Sequence, residues 1–265
     1  MPRSVTVTYR VLPTPAATAR AAAELFLDAA VKAAAARGVA RIAISGGTTP
    51  KTMFQLLADP AEAFLKQVPW DRIELYWVDE RCVPPDNVES NYRMTKEALL
   101  SKVPLAAERV HRMEGELEPE VAAARYESMI RNTFKLEGAE TPTFDLVLLG
   151  MGDDGHTASL FPHTEALNEM SHIVVPNHVP QKDTWRITLT WPVICQGREV
   201  AFLIEGAGKA QVLHDVFLGP YQPETYPSQI IRPASGQLLL LLDAAAAAKL
   251  PAPKESNSAG TLELR

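Results

Sequence analysis

The sequence predicts an α/β fold in which a doubly wound, mostly parallel sheet carries helices on both faces. Apolar runs typical of strands alternate with helical patterns along nearly the whole chain. Residues 144–150, "FDLVLLG", are almost continuously apolar, as expected of a strand buried on both faces of a parallel sheet. No internal repeat or low-complexity linker interrupts this alternation. We therefore expect a single α/β domain over residues 1–250, followed by a polar, proline-interrupted and mobile C-terminal tail over residues 251–265.

Local patterns predict the individual elements in chain order. Residues 4–12 alternate and are rich in β-branched side chains, which predicts a first strand. The alanine-rich segment 17–38 ends at a glycine, which predicts a long helix with a glycine C-cap. A short strand and a helix that opens at Pro50 follow. The strands after the first are expected at 39–45, 72–80, 144–150, 172–176, 186–191, 199–206 and 237–242, with further helices at 91–103, 119–134 and 208–219.

The composition argues against several classes of function. A formal net charge of −6 disfavours a nucleic-acid or membrane surface, although local donors can still bind an anionic substrate. Two cysteines are too few for a disulfide framework and fit a reducing compartment. We expect no signal peptide, because the N-terminal segment lacks a long apolar region, and no apolar run is long enough to span a membrane, so we expect a cytoplasmic protein. The histidines lack metal-ligand spacing, and we expect neither a metal nor a nucleic-acid partner.

Three polar or glycine-rich loops follow predicted strands, after Ile44, Val78 and Leu149. Ligands of open α/β sheets bind outside the carboxyl ends of the strands. We therefore expect the three loops to converge on one crevice.

The first loop, "SGGTTP", combines hydroxyl groups, consecutive backbone amides and the start of a helix. Glycines let the backbone approach a ligand closely, and a helix N-terminus favours an anion, so this loop could bind a phosphate. A flexible turn with Thr49 as the N-cap is the alternative. The candidate phosphate ligands are Ser45, Gly46, Gly47 and Thr48.

The second loop, "DERC", places two carboxylates and a guanidinium at a strand end. Arg81 could clamp a phosphate or carboxylate or stabilise an oxyanion, and Asp79 is a further candidate for contact with a substrate. A solvated charge cluster, or an ion pair of Arg81 with Asp79 or Glu80, is the structural alternative.

The third loop, "GMGDDGHTASLFP", contains a G-x-G-x-x-G pattern but does not read as a dinucleotide-binding turn, because two carboxylates would repel a pyrophosphate. Asp154 and His156 instead suggest a carboxylate that orients an imidazole general base. Ser159 lacks the G-x-S-x-G elbow of a serine nucleophile, which favours an attacking water. A hydrogen-bonded turn is the alternative role for His156.

Two later cations are weaker candidates for contact with an anionic substrate. Arg186 opens the predicted strand 186–191, and Lys209 begins a helix after a glycine-rich turn. Taken singly, each is more often a solvated charge.

Four segments together resemble the glucosamine-6-phosphate isomerase/6-phosphogluconolactonase family: "ISGGTTPKTMFQLL", "WVDERCVPPDNVESNYRMTKEALL", "LLGMGDDGHTASLFP" and "RITLTWPVI". The endings "DGHTASLFP" and "DERCVP" favour the lactonases, since the related deaminases typically carry "DGHIAFNEP". The resemblance implies a Rossmann-like fold of the sugar-phosphate isomerase/lactonase type. It also implies hydrolysis of 6-phospho-D-glucono-1,5-lactone to 6-phosphogluconate without a cofactor.

On this resemblance His156 would take a proton from water, Asp154 would orient it, and Arg81 would hold either the lactone carbonyl or the phosphate. Asp79, the first-loop residues, Arg186 and Lys209 would be further substrate contacts. The segment "VPQKDTWRIT" departs from the proline-rich pattern usual before "RIT" in such lactonases, which puts the contacts of that loop in doubt.

Three alternatives remain at this stage: a hexosamine-6-phosphate deaminase/isomerase, a non-catalytic sugar-phosphate-binding domain, and a nicotinamide-dependent dehydrogenase, which the acid pair in the glycine loop disfavours. We expect the protein to be a monomer or a small homo-oligomer.

Overall fold

A computed structural model describes residues 4–235, 237–253 and 259–264 of the chain. The strands are β1 (Val5–Leu12), β2 (Ala40–Ile44), β3 (Ile73–Trp77), β4 (Asp79–Arg81), β5 (Val110–His111), β6 (Leu146–Leu149), β7 (Val174–Val179), β8 (Thr184–Leu189), β9 (Glu199–Ile204), β10 (Gln237–Asp243) and β11 (Ala259–Leu264). The helices are α1 (Pro15–Arg37), α2 (Thr48–Ala58), α3 (Phe64–Gln67), α4 (Asn91–Thr95), α5 (Pro119–Phe134), α6 (Trp191–Cys195) and α7 (Ala210–Leu218).

Eight strands form a central sheet in the order β11-β1-β10-β9-β6-β2-β3-β5. Every neighbouring pair is parallel except β1 and β11, which are antiparallel. Helices cover both faces of the sheet. Since alternate side chains of a strand point to opposite faces, neighbouring residues of one strand pack against different helices. Val147 of β6 belongs to an apolar cluster that includes residues of α5 and α7, whereas its neighbour Leu148 belongs to a cluster that includes residues of α1 and α2. The predicted doubly wound, mostly parallel fold is confirmed.

A second, three-stranded antiparallel sheet in the order β4-β8-β7 was not foreseen from the sequence. The single strand predicted over 72–80 is wrong, because the chain changes sheets at Val78. The amide of Val78 donates to the carbonyl of Ile44 in the main sheet, and its own carbonyl accepts from the amide of Leu189 in the second sheet. The segments predicted at 172–176 and 186–191 are strands, but they belong to this second sheet.

The C-terminal segment also differs from the predicted tail over 251–265. Its residues 259–264 form β11, an edge strand that pairs with β1 from Val5 to Arg10. The strand packs closely, because Gly260 lies against the ring of Tyr9 and Leu262 and Leu264 pack on the apolar core. The remainder of the predicted tail between 254 and 258, and residue 265, lie outside the described residues.

Two smaller differences concern helices. The predicted helix 91–103 is α4 followed by a π-helical turn over Lys96–Leu100. The predicted helix at Pro50 begins two residues earlier, at Thr48, so its first turn reaches further into the first loop. No helix within the described ranges is long and apolar enough to cross a membrane.

Candidate active site

A cavity of about 270 Å³ opens where the loops after β2, β6 and β9 meet β4 and β8. The structure thus brings together the three loops that the sequence singled out. Every predicted site residue lines this cavity except Asp154, which contacts the lining residue His156. The predicted residues on the wall are Ser45, Gly46, Gly47, Thr48, Asp79, Arg81, His156, Arg186 and Lys209.

The first loop presents the N-terminus of α2 to the cavity. Gly47 is the N-cap residue, with φ of 114°, a backbone conformation that favours glycine, and no side chain caps the first turn. Gly46 passes so close to Asn91 that a Cβ atom there would lie 1.9 Å from the amide oxygen. The hydroxyl of Ser45 donates to the carbonyl of Leu148 at 2.9 Å and so ties β2 to β6. The first turn therefore keeps its amides for an anion.

Thr49 does not act as the N-cap that the structural alternative required. Its hydroxyl donates to the Glu205 carboxylate at 3.0 Å, across the cavity wall. Glu205, at the end of β9, lines the cavity and was not singled out from the sequence. Burial raises the pKa of its carboxyl, the hydrogen bond from Thr49 lowers it, and the result is a pKa above the ordinary value.

Asp79 is held at the cavity by buried partners. Its Oδ2 accepts a hydrogen bond from the Ser159 hydroxyl at 2.8 Å, and its carbonyl accepts from the Asn91 side chain at 2.9 Å. Ser159 is fully buried, and its carbonyl accepts from the Asn177 side chain. The burial of Ser159 and the hydrogen bond of its hydroxyl to Asp79 favour water over Ser159 as the nucleophile.

Glu80 serves the architecture of the second loop. Its buried carboxylate accepts hydrogen bonds from three backbone amides and one hydroxyl, those of Arg81, Asn91, Tyr92 and Ser90. Burial raises the pKa of Glu80 and these hydrogen bonds lower it, with a net rise. The Glu80 carboxylate is therefore used to fold the loop onto α4 and forms no ion pair with the Arg81 side chain.

Asp154 and His156 form a direct contact in the third loop. Nδ1 of His156 lies 2.5 Å from Oδ1 of Asp154, which also accepts from the His156 backbone amide at 3.1 Å. The loop that holds them closes on itself, because the Gly152 amide donates to the His156 carbonyl. Phe161 stacks on the imidazole with the ring centroids 3.9 Å apart. The imidazole is thus held by a carboxylate at its edge and an aromatic ring on its face.

The ionisation of Asp154 follows from its surroundings. Burial raises the pKa of Asp154, while the hydrogen bond and the charge of His156 lower it, leaving the pKa below its ordinary value. An ionised Asp154 accepts the Nδ1 proton of a neutral imidazole, which leaves the lone pair on Nε2. The pair can therefore act as a general base.

Arg81 and Arg186 face each other as paired residues of β4 and β8. Arg81 donates from Nη1 to the Glu89 carbonyl, but the Nε atoms of both arginines are buried without a hydrogen-bond partner among the described residues. Within the described ranges no carboxylate lies at ion-pair distance from either guanidinium. Burial and the nearby Arg81 charge lower the pKa of Arg186. Two adjacent guanidinium groups without a carboxylate partner are suited to binding an anion.

Lys209 closes the opposite side of the cavity. Its Nζ lies 2.5 Å from the carboxylate of Asp153, which is mostly exposed. This ion pair joins the loop after β6 to the turn after β9. The doublet in "GDD" thus divides its roles: Asp153 contacts the lysine and Asp154 contacts the histidine.

A second cavity of about 480 Å³ adjoins the first and shares Arg81, His156 and Arg186 with it. The hairpin between β7 and β8, which departs from the family pattern, adds Lys182 to its wall. His178 and Trp185 lie opposite each other in that hairpin, with their ring centroids 5.1 Å apart. The hairpin therefore shapes the mouth of the site. No group of three potential metal ligands occurs in the described part of the chain.

The model of the family described as "Glucosamine-6-phosphate isomerases/6-phosphogluconolactonase" matches residues 13–240. The chain belongs to this family. A curated relative from Nostoc sp., named 6-phosphogluconolactonase, is 41% identical over 245 residues, which cover 92% of this chain and 98% of that protein. A second, from Synechocystis sp. and with the same name, is 42% identical over 214 residues, 80% of this chain and 85% of that protein.

Solved structures of family members have the same fold. The 6-phosphogluconolactonase from Trypanosoma cruzi is 30% identical, with a TM-score of 0.79 over 94% of this chain and 97% of that one. A monomeric glucosamine-6-phosphate deaminase superposes with a TM-score of 0.75 over 91% of this chain and 99% of that one. At 18% identity, the deaminase shows the shared fold alone.

Proposed function

We propose that this protein hydrolyses 6-phospho-D-glucono-1,5-lactone to 6-phosphogluconate, as a carboxylic ester hydrolase of the oxidative pentose phosphate pathway. The observation that carries the proposal is the contact of Asp154 with His156, whose imidazole lies in the wall of a cavity that also presents a helix N-terminus and three cations. Such a cavity suits a small anionic ester that is attacked by water. The names of the relatives that share most of their length with this chain support the same activity.

The phosphate of the substrate would bind at the first turn of α2, where uncapped amides from Gly47 onward and the Lys209 ammonium face the cavity. Ser45, Gly46 and Thr48 shape this loop around the anion. The guanidinium groups of Arg81 and Arg186 supply the remaining positive charge beside the lactone. Asp79, fixed by Ser159, would accept a hydrogen bond from a ring hydroxyl.

His156 would act as the general base. Its Nε2 takes a proton from a water molecule, the water oxygen bonds to the lactone carbonyl carbon, and a tetrahedral oxyanion forms beside the guanidinium groups. Asp154 stabilises the imidazolium that results. General-base catalysis of this kind contributes roughly 10²–10⁴-fold in rate.

Collapse of the intermediate breaks the bond between C1 and the ring oxygen. Protonated His156 can return its proton to that oxygen, so the imidazole is neutral again at the end of the cycle. The electron pair of the broken bond stays on the ring oxygen, which becomes a hydroxyl. The carbonyl carbon becomes a carboxylic acid, which releases its proton to solvent and leaves as the carboxylate. The reaction written this way needs no metal or organic cofactor, and we propose none.

Two parallel assays test the reaction class. Freshly generated 6-phosphogluconolactone is mixed with the protein, and the spontaneous hydrolysis rate is subtracted. Ammonia release from glucosamine 6-phosphate is followed with the same preparation. Accelerated loss of the lactone without ammonia supports the proposal, whereas ammonia release with a lactone rate equal to the blank assigns the protein to the deaminases. Fractionation and light scattering test two accompanying proposals, that the protein is cytoplasmic and that it is a monomer or small homo-oligomer.

A further inference from the structure

Glu205 is one of two carboxyl groups, with Asp79, on the wall of a cavity that also presents donors and cations. One of its oxygens, Oε2, accepts the hydrogen bond from Thr49 at 3.0 Å. The other, Oε1, is buried and has no hydrogen-bond partner among the described residues. A buried acceptor without a donor is uncommon in folded proteins and calls for an explanation, such as a ligand that supplies the donor.

The position of Glu205 identifies the part of the ligand that it meets. Its partner Thr49 is the second residue of α2, in the turn whose amides face the cavity. The proposed phosphate site is this same turn. An anion bound there lies next to a second acid, and two adjacent acids that both ionise repel each other unless they share a proton.

The other charged groups around Glu205 do not neutralise it. From β10, the buried Asp243 adds negative charge, and its own Oδ1 is occupied by the amides of Gly206 and Ala246. From the turn after β9, Lys209 lines the same cavity but is paired with Asp153. α2 contributes the uncharged Thr49. The other ionisable groups on the cavity wall are Asp79, Arg81, His156 and Arg186.

We propose that Glu205 is a specificity-determining residue that shares one proton with the phosphate group of the substrate. Oε1 accepts a hydrogen bond from the P–OH of a monoanionic phosphate or, equivalently, the protonated carboxyl donates to a phosphate dianion. The complex contains one proton between the two acids in either description. This inference rests on the proposed function for the identity of the substrate, but its signature is a property of phosphate binding alone.

The sign of the effect is fixed by proton linkage. A phosphate ester has a second pKa of roughly 6, so the free ligand is largely a dianion above about pH 7. At a pH where the free Glu205 carboxyl is also ionised, the proton that the two acids share must come from solution. Forming the complex then takes up a proton, and affinity falls as the pH rises. We expect the Kd to rise by up to about tenfold per pH unit in this range, the slope for uptake of one proton.

The test uses isothermal titration calorimetry with D-glucitol 6-phosphate in several buffers of different ionisation enthalpy at pH 7.5 to 8.5. This probe carries a phosphate but no carboxylate, so it presents no second anion to His156. The expected result for the wild-type protein is uptake of close to one proton. Glu205→Gln, whose amide donates to the dianion without a proton from the buffer, is expected to bind with little uptake and a flatter dependence on pH.

Matched variants and outcomes make the test decisive. His156→Ala is expected to retain the uptake, which assigns the proton to Glu205. If the wild type binds the probe without taking up a proton, the proposal is overturned, even if Glu205→Gln fails to fold. It is also overturned if the probe does not bind, or if His156→Ala no longer takes up the proton. Weaker binding of Glu205→Gln at every pH with no wild-type uptake would instead assign Oε1 to a sugar hydroxyl, which also overturns it. Lactonase activity measured on the same preparation separates the failures: proton uptake without lactonase activity contradicts only the proposed function.

Discussion

Replacing Gly152 by alanine tests whether the Asp154–His156 contact depends on its observed geometry, without changing either residue. A Cβ atom at position 152 would lie 2.0 Å from Nδ1 of His156 and 2.7 Å from Oδ1 of Asp154. Ordinary van der Waals contact requires 3.4–4 Å, so the imidazole must move by more than about 1 Å. Phe161 already packs against one face of the ring, which limits the room for that movement.

The expected loss follows from this displacement. A misplacement of about 1 Å in a reacting group can cost on the order of 10²-fold in rate. We therefore expect kcat/KM for lactone hydrolysis to fall by roughly 10²-fold in Gly152→Ala. The assay follows loss of the lactone with the spontaneous rate subtracted, and circular dichroism checks that the variant folds.

Gly208→Ala is the matched control. This glycine lies in the neighbouring turn after β9, and a Cβ atom there meets nothing within 4 Å. We expect its kcat/KM to stay close to that of the wild type. A folded Gly152→Ala protein with wild-type kcat/KM would show that catalysis does not require the contact between Asp154 and His156 in the form observed.

Three further predictions concern hydrogen bonding, packing and pH. Ser159→Ala is expected to keep more than about a tenth of the lactonase activity, since the Ser159 hydroxyl donates a hydrogen bond to Asp79. The variant is expected to lose roughly 1–3 kcal/mol of unfolding free energy in urea titration. A loss of about 10⁴-fold in rate would point to a serine nucleophile. Gly260→Ala places a Cβ atom 2.2 Å from the Tyr9 ring, and such overpacking typically costs about 1–3 kcal/mol, so a lower urea midpoint with unchanged activity per folded molecule is expected. The pKa of Asp154 is lower in the folded protein than its unfolded value of about 3.9, so ionised Asp154 stabilises the fold above that value. This stabilisation is lost as the pH falls through the folded-state pKa. Asp154→Asn should therefore flatten the acid side of the curve of Tm against pH, and an unchanged curve would contradict this.

The sequence predicted the convergence of the three loops because that step depends on one general property of parallel sheets. Residues after Ile44 and Leu149 leave the carboxyl ends of adjacent strands, β2 and β6, and therefore lie together whatever the details of the loops. The apolar, doubly buried pattern of β6 was equally direct, since a strand with helices on both faces has no polar side. These features are local, or follow from topology alone.

The second sheet could not be predicted because apolar alternation does not identify a strand's partner. β7 and β8 have ordinary strand patterns, and only the hydrogen bonds at Val78 show that the chain leaves the main sheet there. β11 was missed for a related reason: its composition is that of a tail, and it is ordered by pairing with β1, more than 240 residues away in the sequence.

Within the site, the missed residues are those whose role depends on long-range contact. Asn91 lies in a segment that the sequence described only as helical, yet it holds Asp79 and restricts Gly46. Glu205 precedes a glycine-rich turn and resembles many solvated glutamates. An acid at the carboxyl end of a buried strand, next to a predicted phosphate loop in space, was the signal available, but strand order was needed to use it.

The role of His156 is best tested by measuring 6-phosphogluconolactone hydrolysis by the wild type and by His156→Ala side by side, with the spontaneous rate subtracted. We expect clear acceleration by the wild type and a decrease of roughly 10²–10⁴-fold in a folded His156→Ala protein. A folded variant that hydrolyses the lactone as fast as the wild type would contradict the assignment of His156 as the general base, and a wild type no faster than the blank would contradict the lactonase itself.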